Sequence, residues 1–241
     1  MTAVDQHLAR YGDGLAVLLV GTGDTPFPTA PPRVDVAASV VLVDSGAPGG
    51  VPDPGPATVV RIGEDVGRGA AVNRAVATLP PALGLVAVAP ADLVWPGGAL
   101  AALRAAADRH PRAAILAPRV CAPDGTPIPS AHPLPGAVPR RPALVDPEDE
   151  GPVGWSSAPA LLLRRAALDS VDGFDPRYPG RLDDLDLADR LARAGWLTVH
   201  VPSVVVGYRP VERPDPAAPR RYLADRAPRP VRGLLRRSVR S

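Results

Sequence analysis

The sequence predicts an α/β protein with a mostly parallel central sheet, flanking helices and a basic C-terminal tail. Three observations carry this. Continuous apolar runs at 15–20, 39–43, 85–89 and 113–117 alternate with alanine-rich stretches of helical spacing, as strands buried on both faces of a parallel sheet do. Polar turns follow these runs, at Gly21-Thr22-Gly23, Asp44-Ser45-Gly46 and Pro90-Ala91-Asp92, and that edge of an open α/β sheet is where ligands bind. The charge is also divided. Residues 209–241 hold ten Arg against three acids, for +7, which leaves −5 on residues 1–208.

The elements follow in order. Residues 1–14 read as an N-terminal arm. The run 15–20 is a strand. Four prolines between 24 and 33 exclude a regular helix there. Strands are expected at 39–43 and, more weakly, 58–62. Residues 68–79 form a helix stopped by Pro80-Pro81, 85–89 a strand, 98–109 a helix ending before Pro111 and 113–117 a strand. Residues 118–153 are rich in Pro, Gly and charge and read as a long excursion without regular structure. Then come a strand at 159–163, a helical turn at 166–171 and a helix at 183–194. That helix places Leu185, Ala188, Leu191 and Ala192 on one face. Asp186/Arg190 and Asp189/Arg193 form i,i+4 pairs with the acid first. Strands at 197–201 and 204–206 close the domain.

Composition narrows the function classes. With 4% aromatics and all 27 basic residues Arg, the core must be built from Ala, Val and Leu. Cys121, the single cysteine, excludes an internal disulfide framework and a multi-Cys zinc site. No apolar run reaches the roughly 18 residues of a spanning helix, and the N-terminus has no signal-peptide apolar segment. A cytoplasmic protein is expected. The basic tail, with Val231, Leu234 and Leu235 on one side of its last segment, suits the anionic inner face of a membrane. No nucleic-acid module accompanies it.

Residues 154–208 carry Gly154-Trp155-Ser156-Ser157, an apolar run ending in Arg164-Arg165, then Gly173-Phe174-Asp175. Asp183-Asp184-Leu185-Asp186-Leu187, Ala194-Gly195-Trp196 and Val201-Pro202 complete the series. This order resembles the catalytic half of the family 2 glycosyltransferases of GT-A fold. Weaker likenesses lie upstream, at Val43-Asp44-Ser45-Gly46, in Asp65 through Asn73, and at Ala89-Pro90-Ala91-Asp92. The segment 123–130 and Tyr222 through Arg226 resemble the actinobacterial rhamnosyltransferases that build the cell-wall linker on a polyprenyl diphosphate.

The resemblance implies a GT-A domain over 15–208, with a nucleotide-binding half at 15–117 and an acceptor half at 118–208. It implies inverting transfer of a hexose, rhamnose from a dTDP donor among the candidates, to a lipid-linked or glycan acceptor in envelope synthesis. Asp184 would be the base and Asp183 its companion. Asp44, Gly67, Arg68, Asn73 and Asp92 would bind the donor, Asp92 also holding Mg2+ or Mn2+. Trp155 and Ser156 would line the acceptor side.

Each residue also has a plainer reading. Acids at a helix start complement its dipole. Asp44 and Asp92 are ordinary turn residues. Glycines before a helix let backbone N–H groups meet phosphate but are common elsewhere. Arg68 reads more simply as a solvated surface arginine than as a neutraliser of the leaving group. Asn73, the only Asn in the chain, suits helix packing as well as nucleotide contact, and Trp155 suits a core. Tyr208 stands where the family often has a metal-binding His, and the proline-rich 24–33 loop replaces a helix. A catalytically weak or inactive relative acting as a binding partner is therefore the alternative. A nucleotidyltransferase is more distant, because no Gly-rich activation loop follows the first strand.

Overall fold

Leu15 to Gly21 alternates no polar residue with its apolar ones, and it forms the fully buried strand β1 at the heart of the sheet. The computed structural model describes residues 11–29, 34, 36–134, 147–178, 182–208 and 222. After β1 come β2 (Ser39–Asp44), β3 (Thr58–Arg61), α1 (Arg68–Val76), β4 (Leu85–Pro90), α2 (Ala99–Arg109) and β5 (Ala113–Cys121). Then follow β6 (Pro127–Ile128), β7 (Ala131–His132), β8 (Gly151–Val153), β9 (Trp155–Ser156) and β10 (Leu161–Arg164). Helices α3 (Arg165–Asp169) and α4 (Leu182–Arg193) and strand β11 (Leu197–Gly207) complete the described chain.

The main sheet runs β3-β2-β1-β4-β10-β5-β11-β8, with β6 added to β5. Strands β3, β2, β1 and β4 are mutually parallel, and β11 is parallel to β5. The insertion of β10 between β4 and β5 is antiparallel to both, pairing Leu161 with Val88 and Leu162 with Leu116. Helix α1 packs on β1 and β2, and α2 on β5 and β11. The expected α/β architecture is therefore present, with a core mostly of Ala, Val and Leu.

Four expectations change in detail. The excursion 118–153 is not irregular throughout, since β5 extends to Cys121 and β6, β7 and β8 fall within it. Backbone pairing to a neighbouring strand overrides the weak strand propensity of Pro and Gly. The two strands expected at 197–201 and 204–206 are one, with a register shift between Val201 and Val205 opposite Pro118 and Arg119. On α4 the buried face includes Leu187 in place of Ala192, which is exposed. Helix α1 ends at Val76, and tighter turns carry the chain to Leu79. The two ion pairs expected on α4 are present, Arg190 Nε to Asp186 Oδ2 at 2.6 Å and Arg193 Nη2 to Asp189 Oδ2 at 2.7 Å.

The basic tail falls outside the described residues except for Tyr222. That side chain is buried, donates to Asp189 Oδ2 at 2.5 Å and meets the Tyr178 ring edge-on at 5.5 Å. Arg165 is also buried. It donates to the carbonyls of Pro80, Leu83 and Val76, gathering the end of α1 and the turn after it.

Candidate active site

The parallel strands end at one edge, and a pocket of about 260 Å³ opens there. Val20, Pro90 and Val120, at or near the ends of β1, β4 and β5, form its floor, and Arg68, Asp184 and Tyr208 stand in its wall. Thr22, Asp24 and Thr25 close one side, and Ile128, Ser130 and Ser157 line another.

Two helix starts meet at this pocket. Helix α1 begins after Gly67, whose φ of 77° lies in the left-handed region that glycine tolerates. No side chain caps α1, so its first backbone N–H groups lack intrahelical acceptors. Helix α4 presents Asp183 and Asp184 in its first turn. Asp183 Oδ1 accepts the Asp184 N–H at 2.8 Å, so the helix-start role expected of these acids is real for Asp183. Both carboxyls are buried, and Arg68 bridges them. Its Nη2 lies 3.2 Å from Asp183 Oδ1 and also hydrogen-bonds Asp184 Oδ1. Phe174 sits beneath, its ring centroid 6.0 Å from the guanidinium carbon.

The expectation of a solvated surface Arg68 is thereby corrected, since its side chain is 19% exposed and held by two carboxylates. Two acids in a desolvated place attract an arginine that local sequence leaves free.

The electrostatics follow from burial. Burial raises the Asp183 pKa, against the lowering effect of Arg68. For Asp184, burial raises the pKa, Arg68 lowers it and the Asp183 charge raises it again. The balance lifts it from an ordinary 3.8 to about 7. Burial opposes the charge on Arg68, but the two carboxylates outweigh it and hold the guanidinium protonated more firmly than usual.

The other predicted residues are placed as follows. Asn73 stands on α1 with its amide spent on the backbone of Phe174. Its Nδ2 donates to Phe174 O at 2.7 Å, and its Oδ1 accepts from Phe174 N at 2.9 Å. Asp44, at the end of β2, accepts the Ala47 N–H at 3.1 Å. Gly67 N donates to Asp65 Oδ1 at 2.9 Å. Asp92 is exposed just past β4, and among the described residues no side chain pairs with it. Trp155 is buried, stacked on His132 with centroids 4.5 Å apart, and Ser156 Oγ accepts the Ala158 N–H. The structure thus brings Asp183, Asp184 and Arg68 together at the pocket, with Asn73 behind them. Asp44, Asp92, Trp155 and Ser156 do not line it.

Among the described residues no group of three His, Cys, Asp or Glu side chains is placed to hold a metal. The residues present make no ready cage. A cation that brings most of its ligands with it would find one carboxylate here, Asp92, exposed just past β4 and outside the pocket lining. Mg2+ is commonly held through one or two carboxylates plus substrate phosphates.

The sequence reading passed over Asp24. It accepts from Thr22 Oγ1 at 2.7 Å and Thr25 Oγ1 at 3.2 Å in the pocket wall. The signal was available, because Asp24 follows a strand end just as Asp44 and Asp92 do.

No known family model matches the chain. The chain is 39% identical over 204 residues to the N-acetylglucosaminyl-diphospho-decaprenol L-rhamnosyltransferase of two Mycobacterium tuberculosis strains, CDC 1551 and H37Rv. The match covers 70% of this chain and 65% of those relatives, so the chain spans less than two thirds of their length. Among solved structures it is similar to GalNAc-T7 with UDP, GalNAc and Mn2+. The TM-score is 0.62 at 14% identity, over 88% of this chain and 48% of the other. It is similar to residues 1–349 of S. aureus TarS with UDP-GlcNAc, at TM-score 0.57 and 12% identity, over 88% and 64%. The mannosyltransferase PcManGT of Pyrobaculum calidifontis, with GDP-Man and Mn2+, matches at TM-score 0.52 and 19% identity, over 98% and 74%. These likenesses show the fold. With the pocket at the strand ends and the carboxylate pair at the start of α4, the chain has a GT-A-type fold, and its sequence is similar to that of the mycobacterial rhamnosyltransferases.

Proposed function

We propose that this chain is an inverting hexosyltransferase, with rhamnose the favoured sugar. It moves the sugar from a nucleoside-diphosphate donor to a lipid-linked acceptor in envelope synthesis. One observation carries the reading most. A buried carboxylate pair bridged by Arg68 opens α4, and its Asp184 stands in the wall of a pocket at the strand ends, where burial pushes that carboxyl up toward the pH at which a base activates a hydroxyl.

In this reading Asp184 takes the proton from the acceptor hydroxyl as its oxygen attacks the anomeric carbon. The bond from that carbon to the diphosphate oxygen breaks, and the nucleoside diphosphate leaves with the bonding pair. Attack opposite the leaving group inverts the centre. Residues 15–117 hold the nucleotide, and 118–208 supply the acceptor side. Asp92 would hold a divalent cation, Mg2+ or Mn2+, which when bound supplies positive charge for the leaving diphosphate. The uncapped start of α1 after Gly67 would meet the donor phosphates, and Asp44, outside the pocket lining at the end of β2, would meet the nucleoside where it extends beyond the pocket. Trp155 and Ser156 act as support for the acceptor wall through Ser157, which lines the pocket. The tail at 209–241, at +7, would meet anionic headgroups at about 1 kcal/mol per basic residue near the surface. No helix among the described residues is long and apolar enough to cross a membrane.

Thermal melting with a panel of nucleotide sugars tests the binding step, since a ligand that binds the folded state alone raises its stability. A dTDP- or UDP-sugar at about a hundred times its Kd stabilises by roughly 2.7 kcal/mol. Adding Mn2+ increases that gain, and Asp92→Ala removes the added increment. An increment that survives Asp92→Ala takes the cation away from Asp92.

The pH dependence has a definite sign. Asp184 must be ionised to act, so the kcat/KM for transfer rises with pH through about 7 and levels above it. A flat profile from pH 5 to 8 removes Asp184 as the base. The ion pair that holds both carboxylates favours a second reading, a non-catalytic relative that binds donor without turnover. A transfer assay with donor and a polyprenyl-diphosphate-linked sugar separates the two.

A further inference from the structure

We propose that Arg68 is a donor-released latch on the base. In the free protein it holds Asp183 and Asp184, and the incoming diphosphate draws the guanidinium away so that Asp184 can accept the acceptor's proton. The inference rests on the glycosyl-transfer reading above and adds an order to it, donor before acceptor.

The arrangement makes this competition unavoidable. Among the described residues that line the pocket, Arg68 is the one basic residue. Without it, the donor diphosphate would meet the buried carboxyls with no protein cation from the described lining beside it. Yet the same Nη2 that could meet the phosphate is engaged by both carboxylates. A carboxylate oxygen occupied by a guanidinium is a poor proton acceptor, since protonation there means losing a charge-assisted hydrogen bond.

Arg68 also has donors to spare. It is the first residue of α1, next to Gly67, and its Nε and Nη1 make no hydrogen bond among the described residues. Those remaining donors match phosphate oxygens in the forked geometry guanidinium provides. The Phe174 ring at 6.0 Å offers a flat surface along which the guanidinium can move. Arg68 is a positioning residue for the base, acting through its release.

Calorimetric titration of the full chain with dTDP, and separately with UDP, tests the latch between pH 6 and 8 in buffers of different ionisation enthalpy. If diphosphate draws Arg68 from Asp184, the carboxyl loses the partner that lowered its pKa and becomes the stronger base, and binding takes up a fraction of a proton that shrinks toward pH 8, the sites left ionised being those that can turn over. The uptake disappears in Asp184→Asn, which separates it from protonation of the nucleotide itself. In Arg68→Gln the uptake also disappears, and diphosphate affinity falls by about tenfold or more. Arg68→Lys, which keeps the charge, recovers part of the affinity, and circular dichroism of each variant verifies folding. A purely structural Arg68 would leave proton uptake unchanged. Diphosphate binding that is equally tight in Arg68→Gln, or proton uptake that persists there, overturns the latch alone. If neither dTDP nor UDP binds the wild-type chain, the transferase reading falls and the latch with it.

Discussion

Asp184→Asn lowers transfer by about 10²- to 10⁴-fold, the usual contribution of a positioned general base, while the protein stays folded and binds donor. The amide is nearly isosteric with the carboxyl and leaves the first turn of α4 intact, because Asp183 makes the local hydrogen bond to the Asp184 N–H. Asp183 also keeps its own contact with Arg68.

Stability moves the other way from activity. The folded-state pKa of Asp184 lies above its ordinary value, near 7 against 3.8. Between those values the folded chain holds a proton that the unfolded chain has lost. The contribution of this group to stability is therefore full below about pH 4 and declines as pH rises through 7. An amide has no such decline, so at pH 8 the variant melts no lower than the wild type. A dead enzyme with an unchanged or raised Tm is the signature of a site residue held at a cost to stability. Wild-type turnover in Asp184→Asn would instead refute its role as base.

Asn73→Ala costs about 2–4 kcal/mol, because it strips both partners from the backbone of Phe174 and leaves a donor and an acceptor unsatisfied beside a buried ring. For a chain of this length that lowers Tm by roughly 5–15 °C. The surroundings leave no room for a substitute. Gly173 has φ 69°, and a Cβ there would collide with Asn73 Oδ1, so the turn and the amide are matched to each other. The same measurement decides what Asn73 is for. If dTDP affinity, measured below the melting transition, equals that of the wild type, Asn73 acts through the fold by holding Phe174 under Arg68. A loss of affinity in a variant that melts normally would make it a donor contact.

How far the sequence reached depends on how far apart the partners lie. Asp183 and Asp184 were legible because they are adjacent, open an amphipathic helix and sit within a dense series of motifs. The pairs Asp186/Arg190 and Asp189/Arg193 were legible because helical geometry alone brings residues four apart together. Arg68 could be picked out beside Gly67, but not its partners, which lie 115 and 116 positions away. Asn73 could be singled out, but not its clamp on Phe174 across 101 positions. Trp155 and Ser156 were drawn to the acceptor side by their motif. The structure shows the ring stacked on His132 and the hydroxyl holding Ala158 N, while their neighbour Ser157 faces the pocket.

By itself the sequence determined the alternation of buried strands and helices, the polar turns at the strand ends and the acids at the start of α4. Local propensity and periodicity encode all three. Only the tertiary structure decided that β10 slots between β4 and β5, that the proline-rich loop supplies Asp24 to the pocket, and that one arginine bridges both carboxylates. The physical reason is that such contacts depend on which distant segments the sheet order brings to one edge. They are then selected by burial, which makes an unpaired carboxylate costly enough to recruit whichever cation stands within reach.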